Sequence, residues 1–282
     1  MSAILLTGKE VADAMFKQLT PLVKKLDPKL VIVQVGDDPA SASYIKQKLK
    51  SCEAVGMRHE HMHLDATVTK EELLSVIEKL NGEPDVTGFI VQLPLPKHLQ
   101  EFVPQIIRAI EPKKDVDGFT AYNIGKTLLS KEFEHLPPAT PSGIIAMLEF
   151  YKLGKVEGKH VVIVNHSNVV GKPLAVMLLN RNATVTVCHA HTKDLAAQTK
   201  QADILISAVG KAKLITADMV KKGAIVIDVG ISRSGDKLTG DVDFDAVKEI
   251  ASAISPVPGG VGPLTVASLI RNTVRAKQRQ IE

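Results

Sequence analysis

Two hydrophobic patterns alternate along the chain: apolar residues at three- and four-residue steps, and short unbroken or alternating apolar runs. The first pattern predicts helices and the second strands. Residues 8–26 read as a helix with Val11, Met15, Leu19, Leu22 and Leu26 on one side. Leu30–Val35 is a strand ending in the turn Gly36-Asp37-Asp38-Pro39. After Pro39, Ala42, Ile45, Leu49, Cys52 and Val55 make one buried stripe, and Gly56 is placed to stop the helix. Arg58–Leu64 alternates and reads as a strand with His59, His61 and His63 on one face. Thr69 and Glu72 form a capping box, with Val68 and Leu73 as its hydrophobic staple, before a helix that runs to Leu80 and stops at Asn81-Gly82. Val86–Leu93 is the next strand, and a third helix ends near Ile110. The charged turn Pro112–Phe119 follows, and its Asp115 and Asp117 are expected outside the core. Strand and helix alternate throughout this half, which predicts a parallel sheet.

The run Leu136-Pro137-Pro138-Ala139-Thr140-Pro141 is the strongest breaker in the chain, and a domain boundary is expected there. A helix over Ser142–Leu153 leads into the second half. Strands are expected at Val161–Val164, Thr184–Cys188, Ile204–Ala208 and Ile225–Val229, with helices between them, which makes a Rossmann-like unit. The Gly/Pro-rich loop Ser255–Pro263 precedes a final helix from Leu264 to about Gln280. The fold class is therefore α/β with two domains. Residues 1–140 form the first, with the final helix 264–282 packing back on it, and 141–263 form the second.

At 282 residues the chain is long for one core. Aromatic content is only 4% with no Trp, which disfavours a nucleic-acid stacking platform. The net charge of +4 suits small anionic ligands at least as well. Cys52 and Cys188 give no disulfide framework. No apolar run approaches a membrane span and no signal-peptide pattern opens the chain, so a cytoplasmic protein without membrane or nucleic-acid partners is expected. The three alternating histidines do not suit one metal ion, because strand spacing holds them too far apart for bonds of ~2 Å. They read as a solvated face, and no metal site is expected.

Tyr44 and Lys48 are four residues apart and share a helix face at the edge of the buried stripe. A half-desolvated lysine there can have its pKa lowered and transfer protons near neutrality. Gln92 lies at the carboxyl end of a buried strand, where open α/β sheets bind ligands. The loop Asn165–Gly171 joins a strand to a helix opened by Lys172-Pro173, which is the geometry of a dinucleotide phosphate site. It is not a G-x-G-x-x-G loop. Gly210 and Gly230 end the later strands and would let backbone approach a flat ring. The stretch Cys188-His189-Ala190-His191-Thr192-Lys193 has no acid before Asp194, which suits a 2′-phosphate and hence NADP, with NAD possible.

Several stretches together resemble one family, the bifunctional methylenetetrahydrofolate dehydrogenase/methenyltetrahydrofolate cyclohydrolases, known as FolD in bacteria. They are Tyr44-x-x-x-Lys48, Val91-Gln92-Leu93-Pro94-Leu95-Pro96, Lys114–Phe119, Thr140-Pro141-x-Gly143, Gly240-Asp241-Val242-Asp243 and Pro256–Pro263, in the family's order over nearly the whole chain. The resemblance implies NADP-linked oxidation of 5,10-methylenetetrahydrofolate, then hydrolysis to 10-formyltetrahydrofolate, in one-carbon metabolism that feeds purine and amino-acid synthesis. It implies a homodimer with folate between the two domains. Lys48 would be the general acid/base, Gln92 its tuning partner, Tyr44 a folate-packing residue and Asp117 the holder of the pterin edge. Leu93, Pro258 and Gly259 would border the substrate. Asn165, His166, Ser167, Val170, Gly171, His189, Gly210, Gly230 and Ile231 would line the dinucleotide. The family's usual Gly-Arg-Ser is here Asn165-His166-Ser167, and Ala190 replaces a common serine. Short-chain dehydrogenases also use Tyr-x-x-x-Lys, but their nucleotide loop precedes it, the reverse of the order here. A nucleotide-binding sensor without chemistry, or an enzyme with one of the two activities, are the alternative readings.

Overall fold

The computed structural model describes residues 3–234 and 237–281. The elements in order are β1 (Ile4–Leu5), α1 (Gly8–Leu26), β2 (Lys29–Val35), α2 (Pro39–Val55), β3 (Arg58–Leu64), α3 (Lys70–Gly82) and β4 (Gly88–Val91). Next come α4 (Val103–Arg108), α5 (Ala121–Leu129), α6 (Ala139–Phe150), β5 (His160–Val164), α7 (Gly171–Leu179), β6 (Thr184–Cys188) and α8 (Leu195–Thr199). The chain ends with β7 (Ile204–Ser207), β8 (Ile225–Asp228), β9 (Ser232–Ser234), β10 (Lys237–Thr239), α9 (Phe244–Val247), β11 (Ala253–Ile254) and α10 (Gly262–Ile281). Glu282 of the expected final helix, and Met1 and Ser2 of the expected first domain, lie outside the described residues.

The chain divides into two compact units. One comprises Met15–Lys126, Glu134–Ala139 and Val266–Glu282. Its sheet has the order β3-β2-β4 and is parallel throughout. Side chains of the central strand alternate between two cores. Leu30 and Ile32 join Ile45, Cys52, Leu269 and Ile270 on one face, while Val31, Val33 and Val35 join Leu73, Ile77 and Ile106 on the other. That central strand is apolar on both sides because it is covered on both. β3 is the edge strand, and its histidines are solvated or half-buried: His61 stacks on His63 with centroids 5.9 Å apart, and His61 Nε2 meets Gln34 Oε1 at 2.9 Å. The expected capping box of α3 is present, with Thr69 Oγ1 accepting from Glu72 N and Glu72 Oε2 accepting from Thr69 N.

The other unit comprises Met1–Ala14, Thr127–Phe133 and Thr140–Thr265. Its six strands run parallel in the order β1-β11-β8-β7-β5-β6. The chain passes from β5 to β6 on one side and then to β7 on the other, so the switch point lies at the carboxyl ends of β5 and β7. Two expectations shift here. The helix expected from Ser142 begins at Ala139, because Pro141 falls within the first turn, where amide hydrogens have no helical partner to lose. Between β7 and β8 there is no α-helix, only the 3-10 turn Ala217–Met219.

Candidate active site

The cluster around Lys48 begins with the ends of α2. Asp38 Oδ2 accepts from Ser41 N at 2.7 Å, Pro39 occupies the first turn, and Gly56 closes the helix in the left-handed conformation at φ 71°. The helix is thus fixed at both ends, and Tyr44 and Lys48 sit one turn apart on it. Lys48 is only 7% exposed, and its Nζ donates to Gln92 Oε1 at 2.8 Å. Gln92 follows β4, with its N–H bonded to Val33 O and its Nε2 donating to Leu93 O at 2.7 Å. Leu93 precedes a cis peptide to Pro94. The strand expected to reach Leu93 stops at Val91, so Gln92 and Leu93 lie just beyond its carboxyl end.

Asp117 comes from the turn before α5. The neighbouring Asp115 is 1% exposed, contrary to the expectation that both aspartates lie outside the core. Its Oδ1 accepts from Gly118 N and Phe119 N, and its Oδ2 from Thr120 N and Asn123 Nδ2, so the turn is wound around this carboxylate. Gly118 adopts φ +75°, and a Cβ there would lie 2.4 Å from Leu136 O. Asn272 on α10 ties the turn down, donating to Val116 O at 2.9 Å and Pro137 O at 2.8 Å.

The electrostatics follow from burial. Desolvation pushes the Lys48 amine below the usual lysine range, opposed by the charge of Asp117. Desolvation likewise pushes the Asp117 carboxyl up, against the pull of Lys48. Burial also raises the Tyr44 hydroxyl. The cluster holds a buried amine whose charged form burial disfavours, an amide that orients it, and a carboxyl group whose charge acts on it. Such a set can take and return a proton.

The second unit carries the remaining expected residues. Asn165 braces the loop after β5 from within: Nδ2 donates to Ala208 O, while Oδ1 accepts from Ser167 N, Ser167 Oγ and Gly171 N. Its side chain is committed to shaping the loop, and Ser167 Oγ in turn accepts from Val170 N. Exposed His166, His189 and His191 gather at the ends of β5 and β6, with centroids 5.1 Å apart for the first pair and 5.9 Å for the second. Asp194 caps α8 by accepting from Ala197 N at 3.0 Å. Gly210 takes φ +77°, and Ile231 is 42% exposed. A Cβ on Gly230 would lie 2.0 Å from Asp241 Oδ1. Pro258 follows a cis peptide and is exposed, and Gly259 O accepts from Gly8 N at 2.8 Å.

Tyr44, Lys48, Gln92, Leu93 and Asp117 therefore share one unit, and the expected dinucleotide residues, with Pro258 and Gly259, share the other. Asp115 and Asn272, which shape the turn carrying Asp117, are not singled out for that role by the sequence. Gly240-Asp241 stood out as a motif, but its partners in space are dispersed along the sequence.

Comparison with known proteins gives concordant matches. Residues 6–117 match the family described as "Tetrahydrofolate dehydrogenase/cyclohydrolase, catalytic domain", and residues 138–281 match its "NAD(P)-binding domain". The chain is 49% identical over 288 residues to "Bifunctional protein FolD" of Bacillus licheniformis, covering 100% of both. The crystal structure of bifunctional FolD from Campylobacter jejuni superposes with a TM-score of 0.93 at 43% identity, covering 99% of this chain and 100% of that one. The Trypanosoma brucei enzyme, solved with NADP cofactor and an inhibitor, gives a TM-score of 0.95 at 34% identity, covering 100% of this chain and 99% of that one.

Proposed function

The chain belongs to the tetrahydrofolate dehydrogenase/cyclohydrolase family, and from that premise we propose how its own residues divide the work. It is a bifunctional enzyme that oxidises 5,10-methylenetetrahydrofolate to the methenyl form and hydrolyses that to 10-formyltetrahydrofolate. The unit of Met15–Lys126, Glu134–Ala139 and Val266–Glu282 is the folate-binding and catalytic part, and the unit of the six-stranded sheet binds the dinucleotide.

Bound NADP supplies the hydride acceptor. The first step needs no proton transfer by the protein, only alignment of the one-carbon bridge. Tyr44 packs on the folate, Asp117 holds the polar edge of the pterin, and Leu93, Pro258 and Gly259 border it. In the second step water attacks the methenyl carbon, a cation delocalised over two nitrogens. Neutral Lys48 takes a proton from the attacking water, and Gln92 fixes the amine by accepting from it. The carbon–nitrogen bond to the ring nitrogen then breaks as Lys48 returns the proton there and the adduct's hydroxyl loses its remaining proton to water, leaving the formyl group on the other nitrogen. The observation that carries this reading is the buried Lys48–Gln92 pair at 2.8 Å, with Asp117 in charge contact.

The dinucleotide residues fit NADP. His166, His189 and His191 form a cluster of imidazoles where a 2′-phosphate would sit, and Asp194, the first acid after β6, is occupied as a helix cap. Backbone and side chains of Asn165–Gly171 shape the pyrophosphate loop, and Gly210, Gly230 and Ile231 lie on the nicotinamide side. The enzyme works as a homodimer in the cytoplasm. Exposed Leu179 and Val187, beside the open edge of β6, offer apolar surface to a second copy. Among the described residues no helix is long and apolar enough to cross a membrane.

The test is steady-state kinetics on the purified chain, with NADP and NAD in parallel and methenyltetrahydrofolate hydrolysis measured separately. Turnover of methylenetetrahydrofolate with preference for NADP is expected. No turnover with either nucleotide refutes the reading.

A further inference from the structure

Two buried aspartates at the carboxyl ends of the large sheet have no part in the chemistry above. Asp228 ends β8 and is 3% exposed, and Asp241 follows β10 and is fully buried. The donors that meet them are backbone amides and a hydroxyl. Asp241 Oδ2 accepts from Ser207 Oγ at 2.8 Å and Val209 N at 2.6 Å, and its Oδ1 accepts from Gly210 N at 2.9 Å and Lys211 N at 2.8 Å. One carboxylate thus gathers three consecutive amides of the loop after β7. Asp228 Oδ1 accepts from Gly230 N and Asp241 N, both at 3.0 Å, and its Oδ2 from Val242 N at 2.9 Å. The Asp228 amide donates to Ser255 Oγ at 2.8 Å, which brings in the start of the Gly/Pro-rich loop.

The two carboxylates are wedged beneath backbone. A Cβ on Gly230 would lie 2.0 Å from Asp241 Oδ1, and one on Gly240 would lie 1.9 Å from Asp228 Oδ2. Both glycines leave room for a charge. A carboxylate is suited to this place because it is acceptor-only and offers several lone pairs to converging amides, whereas an asparagine would turn an NH₂ against at least one of them.

We propose that Asp241, with Asp228 behind it, is a positioning residue for the hydride-transfer half of the reaction. The pair fixes the loops after β7 and β8, which carry Gly210, Gly230 and Ile231, and so sets the pose of the nicotinamide. The proposal rests on the assignment of those loops to the dinucleotide. Hydride transfer is sensitive to displacements of about 1 Å, which can cost about 100-fold in rate. Hydrolysis of the methenyl compound needs no nicotinamide, and Lys48, Gln92 and Asp117 lie in the other unit. The protein therefore contains its own internal control.

The experiment compares wild type, Asp241→Asn and Ser207→Ala. Methylenetetrahydrofolate oxidation is measured with NADP, and methenyltetrahydrofolate hydrolysis without nucleotide, with thermal melting alongside. Asp241→Asn should lower dehydrogenase kcat about 10- to 100-fold and raise the KM for NADP. Hydrolysis should stay within about twofold of wild type, because that step uses no nicotinamide. Ser207→Ala, which deletes one donor of four, should shift the same ratio by a smaller factor. If Asp241→Asn does not fold, the Ser207→Ala ratio decides. Equal loss of both activities, or an undiminished dehydrogenase, overturns the inference while the functional reading stands. Absence of dehydrogenase turnover in wild type overturns both.

Discussion

Replacing Gln92 with glutamate puts a carboxylate oxygen where the amide oxygen now accepts from Lys48 Nζ at 2.8 Å. The change exchanges a dipole for a full negative charge and leaves the shape intact. At ~3 Å and an effective dielectric of about 20, the Coulomb attraction is about 6 kcal/mol, which is the ceiling. The carboxylate's own desolvation takes back part of that, and a close opposite charge typically shifts a pKa by about 1–3 units. In free energy this is roughly 1.4–4 kcal/mol. The sign is fixed: the new charge stabilises the ammonium, so the Lys48 pKa rises, against the direction in which burial moves it. On the acid side of the profile the neutral amine falls tenfold per unit, so hydrolysis at fixed pH should drop about 10- to 1000-fold. The rate should recover as pH is raised by the same 1–3 units. The assay is kcat for methenyltetrahydrofolate hydrolysis across pH. Dehydrogenase kcat at saturating substrates should show no such displacement, because hydride transfer uses no proton from Lys48. The lost bond from Gln92 Nε2 to Leu93 O should cost about 1 kcal/mol in denaturant unfolding. An unmoved profile, or a uniform loss at every pH, would refute the role given to this pair.

Asp117→Asn should move the same limb the other way, to lower pH, because it removes the charge that holds the Lys48 pKa up, and it should also raise the folate KM. A limb that stays in place with unchanged KM would leave Asp117 as a turn residue only. Lys48→Met should abolish hydrolysis while NADP affinity, read by nucleotide titration, stays near that of wild type. Retained hydrolysis in that variant would remove Lys48 from the mechanism. His166→Arg should raise the NADP-over-NAD ratio of kcat/KM, since a guanidinium grips phosphate with two parallel bonds. An unchanged ratio would mean that His166 does not meet the 2′-phosphate.

Much of this was legible because local chemistry agreed with the fold. Asp38, Pro39 and Gly56 mark both ends of α2, and Thr69 with Glu72 marks the start of α3. The apolar runs at β2, β5, β7 and β8 announce buried parallel strands. β1 and β11 were not legible, because two residues carry no period and their hydrogen bonds are to each other and to β8. The hairpin of β9 and β10 escaped for the same reason, its six residues being polar but for Leu238. At the site, Lys48 and Gln92 were readable from their places on a helix face and at a strand end. Asp115 was misjudged because a charged residue in a turn is usually solvated. Its burial depends on the amides of residues 118–120, which sequence alone does not aim.

The pairing of Ile4–Leu5 with Ala253–Ile254 bears on how the chain comes into being. Each compact unit is assembled from three separate stretches, and each draws on both early and late sequence. On a ribosome adding about 5–20 residues per second, β1 would wait roughly 12–50 s for its partner strand, about 250 residues later. The stretch Val266–Glu282, which supplies core residues Leu269, Ile270 and Val274, is made after every other stretch of the two units. The unit of the large sheet therefore cannot close until β11 is made, and the other cannot close until after that, when Val266–Glu282 follows. The nascent chain must hold two unfinished units at once, with such long-range contacts closing late. A nonsense truncation before β11 should accordingly yield two crippled units rather than one intact domain and one stump.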